Sequence, residues 1–441
     1  MMGVFLSFVT AAYYIPKLHY ASSPATVSAR SSPGSKDIQR VSLRALVEAR
    51  CPSLFQNFRP AWWLFSGHLQ TAYCVLGDFS RIDKVEYDRT LLRTLDGGTI
   101  GIDITPPGNE DTLKEDTPIV VVLHGLTGGS HESYVRAILA PACTPVEKGG
   151  LGYRGIVVNF RGCAGVPITT IPACPADWRG FSLGANVLTR YLAEEGKQSR
   201  LIAGCALGCP WDLVKNSDSL QAHWFQRNVY SKGMAQNLQK LTERHISEFA
   251  QFGDHPATQA VRNGLVEKAP SLLLFDNTVT SKCGGSSPPF PFPTAYDYYR
   301  WASSHKSLAE VRVPFLAINA DDDPIVQSLP IHAGDNEWVV FAVTRGGGHL
   351  GWFEAGSSFG QVKRWISKPV VEWLRAVGEI LVVDGPHGRP LREVDGFLKE
   401  VGRDDIGCKE IGEGGHVVVW RMKKDCLLDC RALIDRRCIL L

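Results

Sequence analysis

The sequence lacks the usual signatures of metal and nucleotide chemistry. Its 12 cysteines include no Cys-x-x-Cys pair; the closest, Cys205/Cys209 and Cys426/Cys430, are four apart. That spacing argues against a zinc framework, and thiols dispersed through a large chain read as small buried hydrophobes of a reducing compartment. No His-x-x-x-His pair occurs, and the one glycine-rich loop lacks a Gly-Lys-Ser/Thr ending. Neither a metal site nor a cofactor is therefore expected. Charge is nearly balanced, 47 Lys+Arg against 45 Asp+Glu, with no basic tract. Nucleic acid is not an expected partner. No apolar run reaches the ~20 residues a bilayer span requires. The uncharged stretch from Gly3 to Ile15 is too short to span and has no basic n-region before it. It reads as a packing or surface helix that allows peripheral membrane contact through residues 3–15. The expected location is intracellular, either cytoplasmic or membrane-associated, with the endoplasmic reticulum or a lipid droplet as candidate membranes.

Buried-strand runs alternate with helical spacing along most of the chain. PIVVVL from Pro118, GIVVNF from Gly155, Leu201 to Leu207, VPFLAIN from Val313 and WVVFAV from Trp338 are short and strongly apolar, as central strands of a parallel sheet must be. Asp96-Gly97-Gly98 between two alternating runs predicts a hairpin. The fold class is therefore α/β, a mostly parallel sheet flanked by helices with an inserted helical lid. Residues 1–37 read as an apolar segment followed by a flexible Ser/Pro/Ala linker. Residues 38–211 form the first part of the core, 212–306 the lid, 307–386 the second part of the core, and 387–441 a tail. The lid aromatics Trp224, Phe225, Tyr230, Phe275, Tyr298 and Trp301 would suit an apolar pocket, and for any one of them a place in the lid's own core is an equal reading.

Four features carry chemistry, each placed after a strand or opening a helix. Gly180-Phe181-Ser182-Leu183-Gly184 is a G-x-S-x-G turn, where glycines let a strained strand-to-helix elbow lift the serine hydroxyl above the sheet. His124-Gly125-Leu126-Thr127-Gly128-Gly129 follows an apolar strand, where an oxyanion loop belongs; the amides of Leu126 and Leu183 would hold the developing charge. Asp321-Asp322-Asp323-Pro324 closes VPFLAIN, so a carboxylate there could orient a histidine. Asp323 is the first choice and Asp322 the reserve. His349 follows three glycines after WVVFAV, and an imidazole is suited to shuttling protons. Taken singly, each has an ordinary reading as a turn; the order Ser, Asp, His is that of α/β-hydrolases. His68, His131, His223, His305 and His332 are read as lid, loop or structural residues.

With these residues in view, the chain resembles AB-hydrolase family 4, the YheT-like hydrolases that include fungal medium-chain fatty acid ethyl ester synthase/esterases. The resemblance rests on Gly67-His68-Leu69-Gln70-Thr71, HGLTGGSHESYVR from His124, NFRGCAGVPIT from Asn159 and GFSLGANVLTRYLAEEG from Gly180. FDNTVT from Phe275, YDYYRWASS from Tyr296, the DDPIV ending at Val326 and GGGHLGWFE also match, so the likeness runs from about Ser42 to Gly385. It implies a serine hydrolase or acyltransferase working through an acyl-enzyme. The substrates would be lipid-like acyl esters or thioesters, with water or an alcohol as acceptor. Ser182 would be the nucleophile, His349 the base and Asp323 its orienter. A tailoring esterase of fungal secondary metabolism and a non-catalytic pseudo-hydrolase are the alternatives.

The family pattern is broken at one place. Only CAGVPITTIPACPADWR, Cys163 to Arg179, separates GIVVNF from the elbow. A parallel crossover needs a dozen or more residues, usually with a helix, plus its strand; three prolines and no apolar run of strand length leave neither the helix nor the strand legible in this segment. The strands on either side of the elbow are thus expected to lose their ladder partner, leaving the chain poorly folded and nearly inactive.

Overall fold

The apolar runs assemble into a single twelve-stranded sheet. A computed structural model describes residues 14–108, 113–114, 116–170, 182–331, 335–358, 360–383, 388–417 and 438–440. The chain begins with β1 (Lys17–Tyr20), β2 (Thr26–Arg30) and β3 (Ile38–Ser42), then helices α1 (Leu43–Arg50) and α2 (Gly67–Leu76). The predicted hairpin follows as β4 (Tyr87–Thr94) and β5 (Thr99–Thr105), then β6 (Ile119–Leu123), α3 (Ser133–Cys143), β7 (Arg154–Asn159), α4 (Leu183–Glu195) and β8 (Leu201–Leu207). The helical lid includes α5 (Leu213–Ala222), α6 (Lys232–Arg244), α7 (Pro256–Val266) and α8 (Ala295–Ala302). The core resumes with β9 (Phe315–Ala320) and β10 (Val339–Thr344). A short pair, β11 (Phe353–Ala355) and β12 (Val362–Arg364), precedes α9 (Ser367–Arg375) and β13 (Leu381–Val382). The tail supplies β14 (Leu391–Val394), β15 (Phe397–Glu400), β16 (Arg403–Val417) and β17 (Cys438–Leu440).

Strand order is β1-β10-β9-β8-β17-β6-β7-β5-β4-β16-β15-β14. The six strands from β10 to β7 are parallel to their neighbours, and antiparallel strands extend both edges. β8 and β9 are buried at every residue, which explains why their sequences are continuous apolar runs rather than alternating ones.

Three expectations need correction. The stretch read as a linker contains strands: β1 pairs with β10 and β2 with β3, while Ala25, Val27 and Ala29 are buried. Small residues with alternating burial are enough for β2, which is paired on both sides by β13 and β3, whatever the local composition suggests. Residues 387–441, set apart as a tail, also belong in part to the sheet, since β14, β15 and β16 continue it beyond β4.

The third correction concerns the gap. Among the described residues no helix or strand lies between β7 and α4, and residues 171–181, including Gly180 and Phe181, lie outside them. Yet β6 and β8 do not lack a partner. β17 lies between them, parallel to both, with Ile439 opposite Val120 on one side and Ala203 on the other. Cys438 and Ile439 are buried there. Two buried strands with open ladders exert a strong demand for any apolar segment that can satisfy their amides and carbonyls, and the tail meets it.

Candidate active site

Ser182 caps α4 with φ 68° and ψ −95°, a backbone region that residues other than glycine rarely occupy. A tight turn into a helix imposes such strain on an elbow serine. Ala185, Leu188 and Leu192 bury the inner face of α4, and the Ser182 amide donates to the carbonyl of Leu207 at the end of β8 (3.3 Å). The hydroxyl is thereby held above the ends of the parallel strands.

His349 bridges to it from the far side. Its Nε2 lies 2.7 Å from Ser182 Oγ, and its Nδ1 lies 2.7 Å from Asp323 Oδ2. A carboxylate can only accept, so Nδ1 carries the proton and Nε2 is free to accept from the serine hydroxyl. Asp323 is fully buried, and its Oδ1 accepts from the amides of Ile325 (2.8 Å) and Val326 (3.0 Å). Asp322, the reserve candidate, does not reach the imidazole; its Oδ1 accepts from the Gly348 amide at 2.8 Å. It ties the acid loop to the base loop.

Sequence reasoning missed the residues that set this geometry. Thr71 Oγ1 accepts from the His349 amide (2.8 Å) and donates to the Gly67 carbonyl (2.7 Å). Gln70 brackets the next turn, accepting from the Phe353 amide (2.7 Å) and donating to the Phe353 carbonyl (3.0 Å). Gly67 must be glycine because a Cβ there would stand 1.9 Å from the Asp322 carbonyl oxygen. The only sequence signal was the Gly-His-Leu-Gln-Thr match itself, since nothing local to α2 shows that it meets a loop 278 residues away.

Leu126 and Leu183, the candidate oxyanion residues, line the same cavity as Ser182 and His349. The loop carrying Leu126 is held from below. His124 is fully buried, and burial pushes its pKa down to about 4. The ring is therefore neutral, with Nδ1 2.9 Å from the Gly125 carbonyl and Nε2 accepting from the Phe160 amide (3.3 Å). At the loop's other end, Ser130 Oγ donates to Asp103 (2.5 Å), whose carboxylate also accepts from Arg89 (2.5 and 2.7 Å). Charged residues inside two buried strands were the available clue to that network.

The cavity has a volume of about 380 Å³. Leu213, Leu220, Met234 and Leu238 make one wall aliphatic. Asp276, also in the lining, accepts from Thr280 (2.6 Å) and Tyr299 (2.5 Å), and burial pushes its pKa up to about 6. The aromatic pocket expected of the lid is mostly absent. Of the six aromatics proposed, only Tyr298 lines the cavity. Phe275 belongs to the lid core, Trp301 stacks under Arg190, and Trp224 and Phe225 face outward. No group of three or more His, Cys, Asp or Glu that could hold a metal occurs among the described residues. No helix among them is long and apolar enough to cross a membrane.

No family model matches the chain, but individual proteins do. It is 34% identical over 348 residues to an abhydrolase domain-containing protein of Dictyostelium discoideum, covering 72% of this chain and 80% of that one. It is 30% identical over 411 residues to medium-chain fatty acid ethyl ester synthase/esterase 2 of Saccharomyces cerevisiae, covering 74% and 87%. To a monoacylglycerol lipase of the same yeast it is 28% identical over 408 residues, covering 79% and 87%.

Proposed function

The chain belongs to AB-hydrolase family 4, and from that premise we propose that it is a serine hydrolase that cleaves lipid-like carboxylic esters through an acyl-enzyme. The observation that carries this reading is the unbroken chain from Ser182 Oγ through both nitrogens of His349 to the buried Asp323. In this mechanism His349 Nε2 takes the hydroxyl proton as Oγ attacks the ester carbonyl. The amides of Leu126 and Leu183 stabilise the oxyanion. Collapse of that intermediate releases the alcohol, which takes the proton from His349. Water then repeats the sequence on the acyl-enzyme and frees the acid. An alcohol entering in place of water would yield a new ester, the acyl-transfer branch that the yeast synthase/esterase relative suggests for this chain.

Leu213, Leu220, Met234 and Leu238 give an acyl chain apolar lining to lie against, beside a few polar groups that could orient the ester. Ser182→Ala is expected to abolish fluorophosphonate labelling and p-nitrophenyl ester turnover with the melting temperature unchanged. Retained turnover in that variant would return the chain to the pseudo-hydrolase reading.

A further inference from the structure

The rim of the cavity carries large apolar side chains that the fold leaves in water. On α2 and the turn before it, Phe65 is 72%, Val75 73% and Leu76 82% exposed; on the lid, Trp224 is 77% exposed, with Phe225 and Val229 beside it. The two groups form one surface, because His68 of α2 stacks on Tyr230, bonds its hydroxyl at 2.7 Å and meets Phe225 edge-on. Val75 also lines the cavity that holds Ser182, so this surface opens onto the site. Patches of this kind mark interaction surfaces.

Charge identifies the partner. Residues 51–77 contain no Asp or Glu, and neither do residues 222–242. Arg59, Arg227 and Lys232 stand exposed in the same two stretches. Three exposed bases against one exposed acid, Asp78 just beyond Leu76, leave the fringe of these apolar side chains net positive, which fits an anionic phospholipid surface, where rings and aliphatic chains enter the headgroup boundary and cations meet phosphate.

We propose that the face made by α2 and residues 224–232 docks on an anionic phospholipid bilayer, placing the cavity mouth at the lipid surface. This deepens the esterase reading by naming where its substrates enter, and it rests on that reading for its purpose but not for its test. The full chain is sedimented with phosphatidylcholine vesicles, with and without 30% phosphatidylserine as a chosen composition, and turnover of water-soluble p-nitrophenyl butyrate is followed in parallel. The expected result is binding to the phosphatidylserine vesicles that weakens with salt. It should fall at least tenfold in Phe65→Glu/Leu76→Glu/Trp224→Glu, and severalfold in Arg227→Glu/Lys232→Glu. Soluble-ester turnover should stay within twofold of the parent in both variants, which also reports that they fold. Equal binding of parent and triple variant, no binding by the parent, or indifference to phosphatidylserine overturns the proposal. Vesicle binding without turnover by the parent would leave the docking face standing and refute the esterase reading instead.

Discussion

The two halves of the candidate site are held in different ways. The acid and base hang from β9 and β10, whose six-residue register is unbroken from Phe315 and Val339 to Ala320 and Thr344. Their loops are cross-tied by Asp322, Gly348, Thr71 and Gln70. The candidate nucleophile heads α4, which packs on β8, and its amide donates to the Leu207 carbonyl at the end of that strand; the neighbour of β8 toward β6 is a strand of only three residues borrowed from the tail. The acid–base half is fixed many times over by hydrogen bonds between distant elements. On the side of the candidate nucleophile the sheet includes that short, distant pairing between β6 and β8. The same chemical geometry can thus rest on supports of unequal strength, and perturbations should fall unequally on them.

The largest expected effect is chemical and lies in the stronger half. Asp323→Asn should lower kcat by ~10⁴, because the amide leaves the imidazole in the wrong tautomer, while the melting temperature moves little. Asp322→Asn should lose far less; a reversed ranking of the two in steady-state kinetics would give Asp322 the orienting role.

Next comes the support of the weaker half. Ile439 is fully buried between β6 and β8, so Ile439→Asp places an unpaired charge in the core. It should cost ~3–5 kcal/mol in chemical denaturation, and fluorophosphonate labelling should fall with the folded fraction. Ile439→Val, costing ~1 kcal/mol, should retain both. An unchanged Ile439→Asp would mean that the slot is filled by something other than β17.

The oxyanion side should also respond to acid. Burial lowers the folded pKa of His124 to about 4, below the unfolded value of ~6.5. Its contribution to stability is therefore fully present above pH 6.5 and is lost as pH falls towards 4, up to ~3 kcal/mol across that window. His124→Asn keeps a donor for the Gly125 carbonyl but has no proton to gain. Its melting temperature should fall less steeply between pH 6.5 and 4 than the parent's; parallel curves would remove His124 as the cause.

The smallest effect should come from one of the redundant ties. Thr71→Val deletes the acceptor for the His349 amide without changing the side chain's shape, so a loss of ~1–2 kcal/mol is expected. It should appear as a fall in kcat of roughly tenfold with KM unchanged, since the histidine loop is displaced and the cavity is not. A fall confined to KM would place Thr71 in substrate binding.

Local pattern and chain order were sufficient for much of this protein. Continuous apolar runs marked β6, β8, β9 and β10, and G-x-S-x-G, the glycine-rich loop, the Asp-Pro turn and the histidine after three glycines marked four of the loops at one end of the sheet. These are short-range signals, because strand burial and tight turns are written in the few residues that form them. The contact of Asp323 rather than Asp322 with His349, the anchoring of His349 by Thr71, and the outward-facing Trp224 and Phe225 belong to tertiary structure, since each depends on which distant surface arrives alongside. The slot between β6 and β8 shows the limit most clearly. Residues 163–179, with three prolines and no apolar run of strand length, read as lacking the strand, and that local reading implied a broken sheet. A ladder, however, accepts any segment of suitable shape and apolarity from anywhere in the chain, and only the folded arrangement could bring Cys438 to Leu440 into that place.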